Sequence, residues 1–141
     1  MGFDYAETML DGARRRFAGR PNIRLLKADV ARLEFPSDSF DSINCAHAVH
    51  AFPGVDAGLC ELRRVLKPGA RLALNVLLFP RGLAPLCTLA RRVDDWCMRK
   101  GILTTPYLRA DIEQRVRAAG LEILDSWVSG NTLMLTARKP L

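Results

Sequence analysis

From Leu26 to Gly69 the chain runs through Ala28-Asp29-Val30, then Leu33-Glu34-Phe35-Pro36-Ser37-Asp38-Ser39-Phe40-Asp41, then Glu61-Leu62-Arg63-Arg64-Val65-Leu66-Lys67-Pro68-Gly69. Within that stretch Phe40 to Ala46 is a brief apolar run bounded by turn residues, which predicts a short strand. Val55, Leu59, Leu62, Val65 and Leu66 recur on one helical stripe that closes at Pro68-Gly69. Ala70 to Leu78 follows as a Leu/Val-rich run without polar alternation. A strand apolar on both faces is what a parallel sheet covered by helices requires, so the spacing predicts an α/β fold.

Working outward, Met9, Leu10, Ala13 and Phe17 lie at helical spacing, and Asp4 with Glu7 resembles a capping box, which predicts a helix over residues 5–17. Gly19, Pro21 and Asn22 end it. Ile23 to Ala28 reads as a short buried strand, joined to the next by a loop holding Pro36. Downstream, Leu86, Leu89, Val93 and Trp96 mark a helix ending at Gly101, and Leu108, Ile112, Val116 and Ala119 mark another ending at Gly120. Leu121 to Val128 and Thr132 to Arg138 are separated by Ser129-Gly130-Asn131, a link that suits an antiparallel hairpin. Residues 1–141 are read as a single domain without internal repeats.

The 141 residues are 49% hydrophobic and 26% charged, an ordinary globular composition. The longest apolar stretch, Leu72 to Ala90, is broken by Asn75, Pro80, Arg81 and Pro85, so it falls short of the roughly 20 residues a membrane span needs. Cys45, Cys60, Cys87 and Cys97 are widely spaced and form no Cys-x-x-Cys pair, as expected of reduced thiols in a cytoplasmic protein. The net charge of +6 is concentrated in Arg14, Arg15, Arg16, Arg20, Arg24 and Lys27, with a second group at Arg91, Arg92, Arg99 and Lys100. Such clusters could meet phosphates, but no aromatic residues are interleaved as a base-stacking surface requires. Solvated helix faces account for them, and an RNA-binding module is the lesser alternative.

Taken together, Gly2-Phe3-Asp4-Tyr5-Ala6-Glu7-Thr8-Met9-Leu10, Ala28-Asp29-Val30, Leu33 to Asp41 and Glu61 to Gly69 resemble the class I S-adenosylmethionine-dependent methyltransferases, in particular the quinone-biosynthesis and small-molecule group. The resemblance implies a Rossmann-like, open, mostly parallel sheet ending in an antiparallel hairpin. It implies S-adenosyl-L-methionine as cofactor, bound at the carboxyl ends of the strands. Asp4 would accept hydrogen bonds from the ribose hydroxyls, and Tyr5 and Met9 would pack near the adenine. The competing reading of Asp4 is a helix cap. Asp29 would accept from the adenine amino group while the Val30 N–H donates to a ring nitrogen; the competing reading of Asp29 is a turn-initiating residue. Residues 82–107 would be an insertion on the acceptor side, with Trp96, Met98 and Tyr107 as candidate lining and helix-core packing as the alternative for Trp96.

Cys45-Ala46-His47-Ala48-Val49-His50 would pass beside the methionine end of the cofactor and open toward the acceptor. His50 is the candidate general base and His47 a residue lining the pocket, because imidazole titrates near neutrality. Zinc at Cys45, His47 and His50 is not expected, since no fourth ligand stands nearby. Methyl transfer from a sulfonium needs positioning more than proton transfer, so a catalytic residue is not obligatory.

One part of the family pattern is not found. Its first strand, most of its second, and a Gly-x-Gly-type turn fall upstream of Gly2, so the resemblance implies a truncated domain whose activity in this form needs completion. Losing those strands would separate residues 23–28 from residues 40–46 and expose edges open to pairing with another copy. The function expected is methyl transfer to a small-molecule acceptor; the alternative is a non-catalytic binding module of the same fold.

Overall fold

The structure, a computed structural model, describes residues 1–79 and 107–141. Two sheets form. In the first, β1 (Gly2–Asp4) pairs in parallel with β2 (Leu25–Lys27), and α1 (Glu7–Arg16) connects them. In the second, β3 (Phe40–Ala46), β4 (Leu66–Leu77), β5 (Glu122–Ser129) and β6 (Thr132–Arg138) lie in the order β3-β4-β6-β5. β3 and β4 are parallel and joined through α2 (Val55–Val65), while β6 is antiparallel to both β4 and β5. α3 (Arg109–Ala118) precedes the hairpin. The α/β class, the mixed sheet and the antiparallel finish agree with the sequence reading. As expected, residues 23–28 and 40–46 fall in different sheets, and the outer edges of β1 and β3 have no partner among the described residues.

The core belongs to the four-stranded sheet. Leu72, Leu74 and Val76 of β4 and Leu133, Leu135 and Ala137 of β6 are buried against Leu59, Leu62 and Val65 of α2 and Ile112 and Val116 of α3. Each apolar side chain removed from water this way contributes on the order of 1.5–3 kcal/mol. β4 corrects the expectation of a strand apolar on both faces: Leu72, Leu74 and Val76 are buried while Arg71 and Ala73 are exposed. A strand in a sheet covered on one face alternates in this way.

The helix stripe does close near Pro68-Gly69, but the strand has already begun. β4 starts at Leu66, directly after α2, and its register against β3 jumps between the pairs Phe40–Leu66 and Ser42–Arg71. Lys67-Pro68-Gly69-Ala70 is therefore an irregularity within the strand. Gly69 takes a φ of +77°, which an unbranched backbone without Cβ tolerates, and its N–H donates to the Lys139 carbonyl at 2.9 Å. In the hairpin the link is two residues long, Gly130-Asn131, with Gly130 at φ +60°, as a type II′ turn requires at its first position.

The first sheet is thinner than the sequence suggests. α1 starts at Glu7 and not at residue 5, because no capping box forms. Its N-cap is Ala6 with no side-chain cap, and Glu7 pairs with Arg14 at 2.6 Å. Of the predicted stripe only Leu10 is buried, while Met9 is 64% exposed. β2 is three residues long, and Leu26 is exposed, so the expectation of a buried strand over 23–28 is corrected. Phe35 joins the two sheets, its ring 6.2 Å from Phe3 of β1 and 5.1 Å, edge-on, from Phe40 of β3. The helix expected over Leu86 to Gly101, the insertion at 82–107, the second basic group, Cys87, Cys97, Trp96 and Met98 lie outside the described residues.

Candidate cofactor site

The residues singled out from the sequence collect at the carboxyl ends of β1, β2 and β3. Asp4 is the last residue of β1, in register with Lys27 at the end of β2, and Asp29 stands two residues beyond that end. His47 follows the last residue of β3. Open parallel sheets bind ligands at this end, where loops leave the strands and backbone donors are unpaired.

The two carboxylates are held alike. Asp4 Oδ1 accepts the Ala6 N–H at 2.8 Å, and Asp29 Oδ1 accepts the Ala31 N–H at 2.9 Å. Both alternatives offered by the sequence are thus visible: Asp4 ties down the approach to α1, and Asp29 opens a turn closed by Arg32 N–H to Asp29 C=O at 3.0 Å. Neither bond uses Oδ2, which has no partner among the described residues. A carboxylate oxygen also carries more than one lone pair, so each side chain can still accept from a ligand. The Val30 N–H has no acceptor among the described residues, while its side chain is buried. Tyr5 and Met9 are 68% and 64% exposed, flanking the carboxylate at Asp4 without packing on the core.

A brace missed by the sequence reading fixes the turn at Asp29. Glu61 of α2 accepts the Leu33 N–H at 2.9 Å and pairs in bidentate fashion with Arg64, at 2.7 and 2.9 Å. Arg64 donates in turn to the carbonyls of Leu33 and Phe35, both at 2.8 Å. The Arg64 guanidinium holds the Glu61 carboxyl below its ordinary range. The Glu-Leu-Arg-Arg motif therefore clamps the segment after Asp29 onto the helix. Its three-residue spacing on one helix face was the available signal.

Across the site, His47 and His50 stand with ring centroids 6.5 Å apart. Val49-His50-Ala51 is a single 3-10 turn. His50 is half-buried, and its Nδ1 is fully buried without a hydrogen-bond partner. Burial first, then the neighbouring His47, lowers its pKa, and the His47 backbone offsets part of that at a geometry short of a hydrogen bond. Cys45 is buried on β3, which pushes its thiol up to about 11 and leaves it without thiolate character near neutrality. Among the described residues no cluster of three His, Cys, Asp or Glu side chains is placed to hold a metal. Tyr107 lies beside Leu78 at the end of β4, partly buried against the core. In the basic cluster, Arg14 is tied to Glu7 and Asp11, and Lys27 stands 3.9 Å from Glu7.

The residues present fit the adenosine half of the donor expected from the sequence: two carboxylates with an oxygen free among the described residues, and one backbone N–H, likewise free among them, beside the second. A Gly-x-Gly turn for the methionyl half does not occur in the 141 residues.

Comparison with known proteins carries the assignment. Residues 1–74 match the family model described as "Methyltransferase domain". The demethylmenaquinone methyltransferase of Deinococcus radiodurans is 41% identical over 75 residues, covering 52% of this chain and 31% of that protein. An uncharacterized chloroplastic methyltransferase of Arabidopsis thaliana is 28% identical over 151 residues, covering 99% of this chain and 40% of its own length. This chain thus spans less than half the length of these curated relatives. A chain from the complex between the Haloferax volcanii Trm112 methyltransferase activator and the putative methyltransferase superposes with a TM-score of 0.78 at 19% identity, over 99% of this chain and 71% of that one. The fold is shared with it. With a family model covering the first and second sheets as far as Leu74, and a matching fold beyond, this chain belongs to the methyltransferase-domain family, whose cofactor is S-adenosyl-L-methionine.

Proposed function

We propose that this chain supplies the adenosine-binding carboxylates and part of the acceptor wall of an S-adenosylmethionine-dependent methyltransferase with a small-molecule acceptor. The observation that supports this most directly is the matched state of Asp4 and Asp29: same end of one parallel strand pair, Oδ1 tied to a turn N–H, Oδ2 without a partner among the described residues. In this reading Asp4 accepts from the ribose hydroxyls, Asp29 from the exocyclic amine, and the Val30 N–H donates to a ring nitrogen, so that each donor meets an acceptor. Tyr5 and Met9 would trade their exposure for the faces of the adenine. The names of relatives such as the Deinococcus radiodurans enzyme point to a quinone-like acceptor.

When bound, the donor supplies an electrophilic methyl group on a sulfonium. The protein's part is then to orient the acceptor and exclude water. His50 fits the one proton transfer that a hydroxyl acceptor needs: its lowered pKa keeps the imidazole neutral at physiological pH, as a base must be. Residues 82–107 are proposed as the acceptor-side insertion.

Calorimetric titration of S-adenosyl-L-methionine into the 141-residue protein tests the reading. Binding that weakens about tenfold or more in each of Asp4→Ala and Asp29→Ala, roughly 1.4 kcal/mol, is the expected result. Unchanged affinity in both variants, or no binding at millimolar donor, rejects it for this chain.

A further inference from the structure

His47 sits at φ +50°, in the left-handed region that residues with a Cβ seldom adopt. One side chain holds it there. Asn75, the residue of β4 in register with Ala46, accepts the His47 backbone N–H on Oδ1 at 2.6 Å, and its Nδ2 stands 3.3 Å from Nε2 of the same histidine. These two contacts fix the chemistry of the ring. A backbone N–H can only donate, so the amide oxygen must face it and the amide nitrogen must face the imidazole. That nitrogen can also only donate, so Nε2 must present its lone pair, and the proton of the neutral ring resides on Nδ1. His47 is exposed, and its Nδ1 meets no acceptor among the described residues.

We infer that Asn75 is a positioning residue that sets the His47 tautomer, so that His47 offers Nδ1–H as a hydrogen-bond donor to a carboxylate or carbonyl oxygen of the ligand and does not serve as a base. The inference deepens the proposed function and rests on its placement of the ligand at these strand ends. It divides the two histidines by role. His47, with its only lone pair engaged, binds; the half-buried His50, whose Nδ1 is enclosed, is left to take a proton on Nε2. It also accounts for a strained backbone at this position, since a left-handed His47 lets main chain and ring reach the same amide. Strain of this kind is kept where surrounding contacts impose it.

Long-range proton–nitrogen NMR of the ring nitrogens, at a pH where both imidazoles are neutral, reads the tautomer directly. The chain has two histidines, so His50→Gln assigns both spin systems. In the wild-type protein His47 is expected to show an unprotonated Nε2 and a protonated Nδ1. Asn75→Asp keeps an acceptor for the backbone N–H but replaces the donor with a second acceptor, so the proton should move to Nε2. Asn75→Ala should likewise release the ring toward the Nε2–H form. A wild-type His47 protonated on Nε2, or a tautomer unchanged in Asn75→Asp, overturns the inference. Addition of S-adenosylhomocysteine then tests the donor role: a displaced Nδ1 resonance on binding supports it, and binding that leaves Nδ1 untouched overturns it. Absence of binding would instead reject the cofactor placement, and the donor role with it, while the tautomer result stands by itself.

Discussion

The two sheets of this protein are built to different standards. The four-stranded sheet buries continuous rows of Leu and Val from β4 and β6 beneath two helices, and its two inner strands are paired on both sides, β4 over residues 71–75 and β6 from end to end. The two-stranded sheet has three residues per strand, one buried helix residue in Leu10, and no partner on the outer edge of either strand among the described residues. Yet the carboxylates proposed for the adenosine side, Asp4 and Asp29, belong to the weaker half, whereas His47, His50 and Asn75 belong to the stronger. Ligand-binding segments are drawn from the less stable parts of many folds, because they must open and close locally. Here the division falls across the candidate site itself.

The largest effect should come from the strong half. Leu72 is fully buried in the middle of β4, and Leu72→Ala removes contacts that the packed neighbours cannot replace, at a cost of about 3 kcal/mol. Hydrogen exchange should then accelerate at the amides of Leu74, Leu135 and Asp4 together, since losing the core loses everything resting on it. Leu10→Ala should accelerate Asp4 and Leu26 alone. If Leu10→Ala also accelerates Leu74 and Leu135, the two sheets form one cooperative unit and the contrast between them fails.

Between these halves runs Phe35, whose ring touches Phe3 on one side and Phe40 on the other. Phe35→Ala should cost about 2 kcal/mol, below the value for a fully enclosed ring because Phe35 is only partly buried. Its more telling consequence is uncoupling: melting followed at Tyr5, beside the first sheet, should precede melting followed at Trp127, on β5 of the second. Coincident transitions in Phe35→Ala would show that the Glu61–Arg64 brace alone suffices to hold the sheets together.

How much of this could be read from the sequence follows the same division. α2, α3 and the hairpin were legible because their apolar residues recur at a clear period, and β3 as a brief apolar run between turn residues, although α2 gives way to β4 at Leu66, before Pro68-Gly69. The expectation of two apolar faces on β4 has one source. Leu72-Ala73-Leu74 looks apolar throughout, and only the structure shows that Ala73 faces outward, because alanine suits either side of a sheet. Met9 and Phe17 matched a helical stripe that α1 buries only at Leu10, since a three-residue strand pair offers too little surface to cover the rest. Asp4, Asp29 and His47 entered the candidate site through a motif resemblance. Asn75 was not, because it is 28 residues from His47 and its meaning depends on the register of β3 against β4. Pairings across strands leave no local periodic trace.

The smallest effect is electrostatic and separates the halves by pH. Burial depresses the folded-state pKa of His50, so as pH falls below the ordinary imidazole value of about 6.5 the unfolded chain takes up a proton that the folded chain resists. Since stability changes with pH in proportion to the difference in bound protons, stability must decline from there down through the folded pKa, and none of it is lost above 6.5. His50→Gln should flatten that limb in urea-denaturation midpoints measured between pH 7 and 5. The Glu61 carboxyl, lowered by Arg64, and the Glu113 carboxyl, lowered by Ser126 and Arg109, act in a separate window, contributing above their ordinary value near 4.5 and failing as pH drops below it. A pH 7 to 5 limb that survives unchanged in His50→Gln would place the titrating group elsewhere. It would also remove the reason for regarding His50 as the neutral partner of the pair.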